Sequence, residues 1–204
     1  LEPAEPGRDP LAPLTFEVTG WGPTTVADVL RRNDARSLVV THRGRLVHEW
    51  YADGVDATQR HPCFSVTKSF TGTLAATAIE AGLLDRSAVV GELLPELAST
   101  GFGDATVGDV ADMTVALGYD EDYADAGDPS TEGAALGFGN YLAALGMGDA
   151  PPGAPHSIRD LLRAIGPGHG PHGDTFTYAT PVSDVLGWLL EQACGRPYAD
   201  LFGE

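Results

Sequence analysis

Phe64-Ser65-Val66-Thr67-Lys68-Ser69-Phe70-Thr71-Gly72 holds the chain's single lysine, three residues after a serine. The other eleven basic side chains are arginines, so guanidinium supplies every other permanent positive charge. Arginine keeps its proton in a protein, whereas a lysine amine set in a buried site or beside another cation turns neutral and then acts as a base. Phe70, Leu74, Thr77, Ala78 and Ala81 recur three or four apart and Gly82 follows, which predicts a helix over residues 65–82. Ser65 then opens that helix, where backbone N–H groups and the positive end of the macrodipole favour a developing negative charge. Positions i and i+3 share a face, so Ser65 and Lys68 can meet. A solvated surface lysine is the plainer alternative.

The bulk properties narrow the function classes. The length of 204 residues suffices for one sizeable core, and 43% hydrophobic content argues for a globular protein. A formal net charge of -17 argues against nucleic acid as a partner, because phosphate binding needs clustered Lys and Arg. No apolar run approaches the roughly 18 to 20 residues of a membrane span, and the acidic, proline-rich start does not resemble a leader peptide. Two cysteines, Cys63 and Cys194, are too few for a disulfide scaffold, and Cys63 reads as a packed free thiol. Among the six histidines, His169 and His172 stand in a Gly/Pro-rich stretch without ligands at a familiar spacing, which predicts a mobile loop and no metal.

Residues 1–23, with five prolines, read as an extended arm, and 24–204 as one domain. Thr24-Thr25 before Val26, Val29 and Leu30 predicts a short capped helix. Strand-like Ser37–Thr41 and Leu46–Tyr51 flank a Gly-containing turn, predicting a β-hairpin over 37–51. Short helices are expected around 87–97, 106–114, 140–145 and 157–165, with Thr106/Asp109 and Ser157/Asp160 as cap pairs. Residues 118–139 and 146–156, rich in Gly, Asp, Ala and Pro, read as long functional loops. Thr175–Tyr178 reads as extended, and Pro181 opens a helix running to a stop at Gly195. Strands first, then a largely helical lobe over about 85–204, with no alternating βαβ rhythm, predict an α+β fold.

A serine hydroxyl needs a base, and histidine or neutral lysine are the two common solutions. The chain has no Gly-x-Ser-x-Gly elbow, phosphate-binding Gly-rich loop or HExxH helix, so lysine is the better candidate. A free amine with a pKa of about 10.4 needs burial or a hydrogen-bonding tyrosine to serve.

The Ser65–Gly72 segment resembles the active-site helix of the serine beta-lactamase and penicillin-binding-protein superfamily. Within it the chain looks closest to the class C-like branch, with its family VIII esterases and 6-aminohexanoate-dimer (nylon oligomer) hydrolases. Asp112-Met113-Thr114 and Tyr119-Asp120-Glu121-Asp122-Tyr123 resemble a loop that carries a substrate-contacting tyrosine. Phe176-Thr177-Tyr178-Ala179-Thr180 lies where the family has Tyr-x-Asn, about 110 residues after Lys68, and Asp184–Trp188 with Gly195-Arg196-Pro197 resembles the helix that follows. The resemblance implies a beta-lactamase/transpeptidase-like fold, an antiparallel sheet with a helical lobe, whose C-terminal sheet strands are expected beyond Glu204. It implies Ser65 as acylated nucleophile, Lys68 as its base and Tyr178 as a proton-sharing partner. Tyr119, ahead of Tyr123, would contact the substrate, and Thr180 puts a hydroxyl where the motif has an amide.

The expected function is a metal- and cofactor-independent serine hydrolase cleaving a short linear amide or ester through an acyl-enzyme. The alternatives are a beta-lactamase or D-amino-acid peptidase, and, from another class, a non-catalytic binding protein or inactive remnant of this fold. One oxyanion-hole N–H would come from Ser65 and the other from a strand beyond Glu204. Such a donor is worth about 3 to 4 kcal/mol, so activity of these residues alone is left open. The expected partners are a small-molecule substrate and a second copy of the chain, with no nucleic acid or membrane. The cytoplasm is the expected compartment.

Overall fold

The computed structural model describes Leu11, residues 13–121, Tyr123, and residues 136–147 and 153–202. Two compact units emerge, Leu1–Pro62 and Cys63–Glu204. The 37–51 hairpin falls in the first unit and the 65–82 helix in the second.

The first unit is built from two hairpins and a helix. Inside the stretch expected as an extended arm, β1 (Thr15–Val18) pairs antiparallel with β2 (Gly22–Thr25). Thr25 then caps α1 (Val26–Arg32), exchanging hydrogen bonds with Asp28 in a capping box. The predicted hairpin is present as β3 (Ser37–His42) and β4 (Arg45–Tyr51), antiparallel with an irregular register at Val40/Thr41. Its turn has Arg43 and Gly44 both at positive φ, 51° and 76°, the twist that tight hairpins prefer.

The second unit is mostly helical and holds the core. A 3-10 turn, Phe64–Val66, leads into α2 (Thr67–Glu80). The region predicted as one helix over 87–97 is instead α3 (Val90–Leu93) and a 3-10 turn, Pro95–Leu97. Pro95 is the reason: it disfavours helical geometry in the residue before it, and Leu94 adopts φ -124°, ψ 80°. Then follow α4 (Val107–Ala111), the short parallel pair β5 (Tyr119–Asp120) and β6 (Leu136–Gly137), α5 (Phe138–Ala144) and α6 (Ile158–Ala164). The chain closes with α7 (Thr180–Cys194) and α8 (Tyr198–Leu201).

The central element is α7, whose Val182, Val185, Leu186, Leu189 and Leu190 are buried. Against it lies the buried stripe Thr71, Ala75 and Ala78 of α2, and small side chains at this spacing let two helices approach closely. Phe102, Leu94, Leu97, Leu161 and Ile165 complete the same cluster. Capping follows the sequence at Thr106, which forms a full box with Asp109, and at Ser157, which accepts from the Asp160 N–H. Gly195 ends α7 at φ 63°, a left-handed cap that glycine adopts without strain.

Two expectations fail here. Cys63 is free but exposed, not packed. The Gly/Pro stretch around His169 and His172 is stitched by backbone hydrogen bonds to residues 113–118, with a bridge between Leu117 and Pro167. A Cβ on Gly168 would stand 2.5 Å from the Leu117 carbonyl oxygen, so this approach requires glycine. Of the loops expected over 118–139 and 146–156, residues 122, 124–135 and 148–152 lie outside the described residues. Among the described residues, no helix is long and apolar enough to cross a membrane, and no group of three or more His, Cys, Asp or Glu could hold a metal.

Candidate active site

Ser65 sits in the 3-10 turn at the mouth of α2, directly after Phe64, whose φ of 43° is left-handed. Such a conformation in a bulky residue costs on the order of 1 kcal/mol and persists only where surroundings impose it. The turn leaves Ser65 exposed at the positive end of a 14-residue helix. Lys68 lies one turn on, and its Nζ donates to Ser65 Oγ at 3.0 Å. From the other side Tyr178 O–H donates to the same oxygen at 2.8 Å, although 113 residues separate the two in sequence. Lys68 Nζ also stands 5.1 Å from the centroid of the Tyr178 ring.

The electrostatics of Tyr178 follow from this crowding. Burial would push its phenol up, but the hydrogen bonds with Ser65 and Lys68 and the Lys68 charge outweigh burial and hold it below the usual tyrosine range. A phenol so held is more readily ionised, and can exchange a proton with either neighbour.

Beside the triad, a cavity of about 750 Å³ runs between α2, α5, α6 and α7. Phe138, Tyr141, Leu142, Leu145, Ile158, Leu162 and Trp188 form an aromatic and aliphatic wall, with Ser65, Lys68, Tyr123 and Thr180 at its polar edge. Trp188 is steadied by the Arg159 guanidinium, 4.3 Å from its ring, and Arg159 pairs with Glu191 at 3.0 Å.

The two loop tyrosines are placed differently. Tyr119 is buried in the core, its hydroxyl shielded from solvent and without a hydrogen-bond partner among the described residues, and it does not line the cavity. Burial drives its phenol well up. Tyr123, more than half exposed, lies on the cavity edge-to-face with Phe138 at 4.6 Å. Its hydroxyl donates to Glu121 Oε1 at 2.9 Å; burial and that bond push the phenol up to about 12.

Thr180 lines the cavity as the first residue of α7. Its backbone N–H and its Oγ1 both donate to the Glu121 carboxylate, so the hydroxyl that stands for the motif's amide is engaged with an anion at a helix N-terminus. Glu121 is a site group that sequence reasoning passed over, although it stands inside the Tyr-Asp-Glu-Asp-Tyr run.

Asp184 is the other. One turn beyond Thr180, it lines the cavity with one carboxylate oxygen shut off from solvent and without a partner among the described residues. Burial pushes its carboxyl up to about 6, against the downward pull of the Tyr141 hydrogen bond and the Lys68 charge. A signal was available: Asp184 is the lone charged residue between Thr180 and Leu190.

This arrangement can be set beside known proteins. The sequence model of the beta-lactamase family matches residues 18–204. The chain belongs to the beta-lactamase family. A curated relative, the 6-aminohexanoate-dimer hydrolase of Paenarthrobacter ureafaciens, is 30% identical over 165 residues, 80% of this chain and 39% of that protein. A solved structure, a putative 6-aminohexanoate-dimer hydrolase from Bacillus anthracis, matches with TM-score 0.80 and 24% identity, covering 98% of this chain and 50% of that one. A class C beta-lactamase from Rhodobacter sphaeroides matches more loosely, with TM-score 0.54 and 24% identity over 86% of this chain and 44% of that one. The beta-lactamase/transpeptidase-like fold is thereby established. The chain spans about two-fifths of the curated relative and half of the first solved one.

Proposed function

We propose that this chain carries the nucleophilic site of a serine hydrolase acting on short linear amides or esters. The observation that carries the reading is that Ser65 Oγ lies within 3.0 Å of both Lys68 Nζ and Tyr178 OH. In the reactive state the 3.0 Å contact reverses, Ser65 O–H donating to the Lys68 amine. As Ser65 Oγ bonds to the substrate carbonyl carbon, its proton passes to Lys68. Tyr178, bridging Ser65 and Lys68, delivers its proton to the departing amine or alcohol as the carbonyl–heteroatom bond breaks and takes a replacement from Lys68. Water then attacks the acyl carbon, its hydroxyl leaving in the acid product and its other proton passing to Ser65 Oγ as the ester bond breaks.

The choice of linear substrates rests on the cavity, whose apolar wall suits a methylene chain beside the nucleophile, and on the activity named for the Paenarthrobacter ureafaciens relative. Tyr123, at the cavity edge, takes the substrate contact in this reading. The test is rapid-mixing hydrolysis of a p-nitrophenyl ester of a short fatty acid. A burst of nitrophenol that is stoichiometric with protein and absent in Ser65→Ala supports an acyl-enzyme. Folded protein with no burst and no turnover contradicts it.

A further inference from the structure

Tyr178 belongs to no helix or strand, so something else must hold it against Ser65. The segment before it runs alongside residues 113–118 and is fastened in steps. Gly118 N–H donates to Gly166 O at 2.9 Å, Gly168 N–H to Ala116 O at 3.0 Å, Gly173 N–H to Thr114 O at 2.9 Å, and Thr177 N–H to Met113 O at 2.9 Å. Between the second and third fastenings the link is a side chain. Ala116 N–H donates to His172 Nδ1 at 3.0 Å, and His172 Nε2 lies 3.1 Å from Asp104 Oδ1.

This geometry determines the imidazole's state. A backbone N–H is always a donor, so Nδ1 must carry its lone pair, and the proton sits on Nε2, donated to the Asp104 carboxylate. That bond holds the Asp104 carboxyl below the usual range. The imidazole is largely enclosed, 16% exposed, whereas Asp104 is 91% exposed. Two nearby carboxylates are engaged elsewhere: Asp109, beneath Gly173, accepts from Thr106, and Asp112 pairs with Arg86. A second proton on the ring would set an N–H against the Ala116 N–H and break the link.

We propose that His172 is a positioning residue for Tyr178: its imidazole, accepting from the Ala116 N–H and held by Asp104, clasps the Tyr178-bearing segment to residues 113–118. The proposal rests on the role given to Tyr178 above. His172→Asn is the informative variant, because an amide oxygen can stand where Nδ1 stands. Ser65 labelling by a fluorophosphonate is timed in wild type, His172→Asn and His172→Ala. His172→Asn should label within about threefold of wild type and His172→Ala about tenfold slower. Folded His172→Ala labelling like wild type, or His172→Asn labelling as slowly as His172→Ala, overturns the proposal.

Amide exchange separates this claim from the catalytic one. Ala116 and Thr177 should exchange faster in His172→Ala, after correction for intrinsic rates, but not in His172→Asn. If Ser65 takes no label, the nucleophile reading fails, and the exchange pattern alone decides the clasp. Unchanged exchange in His172→Ala overturns it.

Discussion

Replacing Lys68 by methionine keeps the unbranched apolar stem of the side chain and removes the chain's single lysine amine. General-base assistance is worth about 10²–10⁴-fold, so Lys68→Met is expected to slow acylation of Ser65 by at least about 100-fold, read as the rate of covalent modification. Tyr178→Phe removes one hydrogen bond to the same oxygen and should slow acylation by about 10- to 100-fold without unfolding the chain, since the ring is 37% exposed. A wild-type rate in either variant would remove that residue from the mechanism. At this scale the sequence was readable where chemistry is local: Ser65 and Lys68 share one helix face, and a solitary lysine stands out. It was unreadable where the partner is distant. Glu121 meets Thr180 across 59 residues, and Tyr119 turns into the core from β5 while Tyr123, beyond the end of that strand, lies on the cavity.

Elements were legible where punctuation is local. Thr106 with Asp109, Pro181 with Gly195, and the Gly-containing hairpin turn each mark a boundary by a mechanism that acts within four residues. Thr106→Ala deletes the acceptor for the Asp109 N–H and should destabilise the second unit by about 1 kcal/mol, seen as a lower urea midpoint at constant slope. An unchanged midpoint would mean that the cap contributes nothing. Legibility ended where one residue interrupts a plausible period, as Pro95 does between α3 and the following 3-10 turn. It ended also where order comes from distant hydrogen bonds. The Gly166–Gly173 segment has the composition of a mobile loop, yet residues about fifty positions upstream hold it in place.

At the scale of the molecule, the buried Asp184 ties stability to pH. Its carboxyl is raised from 3.8 to about 6, so the folded state holds a proton that the unfolded chain has released. Stability from this group is therefore present below about pH 3.8 and is lost as pH rises through about 6. Asp184→Asn, which cannot ionise, is expected to be more stable than wild type at pH 7 by about 3 kcal/mol, with the difference nearly gone by about pH 4. A difference independent of pH would show that the carboxyl does not titrate in this way.

The family, the fold and the cavity all meet at Ser65, so the most direct measurement is intact-mass analysis of the 204-residue chain after exposure to a fluorophosphonate, with Ser65→Ala and Lys68→Met alongside. The account predicts one adduct on wild type, none on Ser65→Ala and a greatly slowed one on Lys68→Met. A folded wild-type chain that takes no adduct, or an adduct that persists in Ser65→Ala, would contradict it.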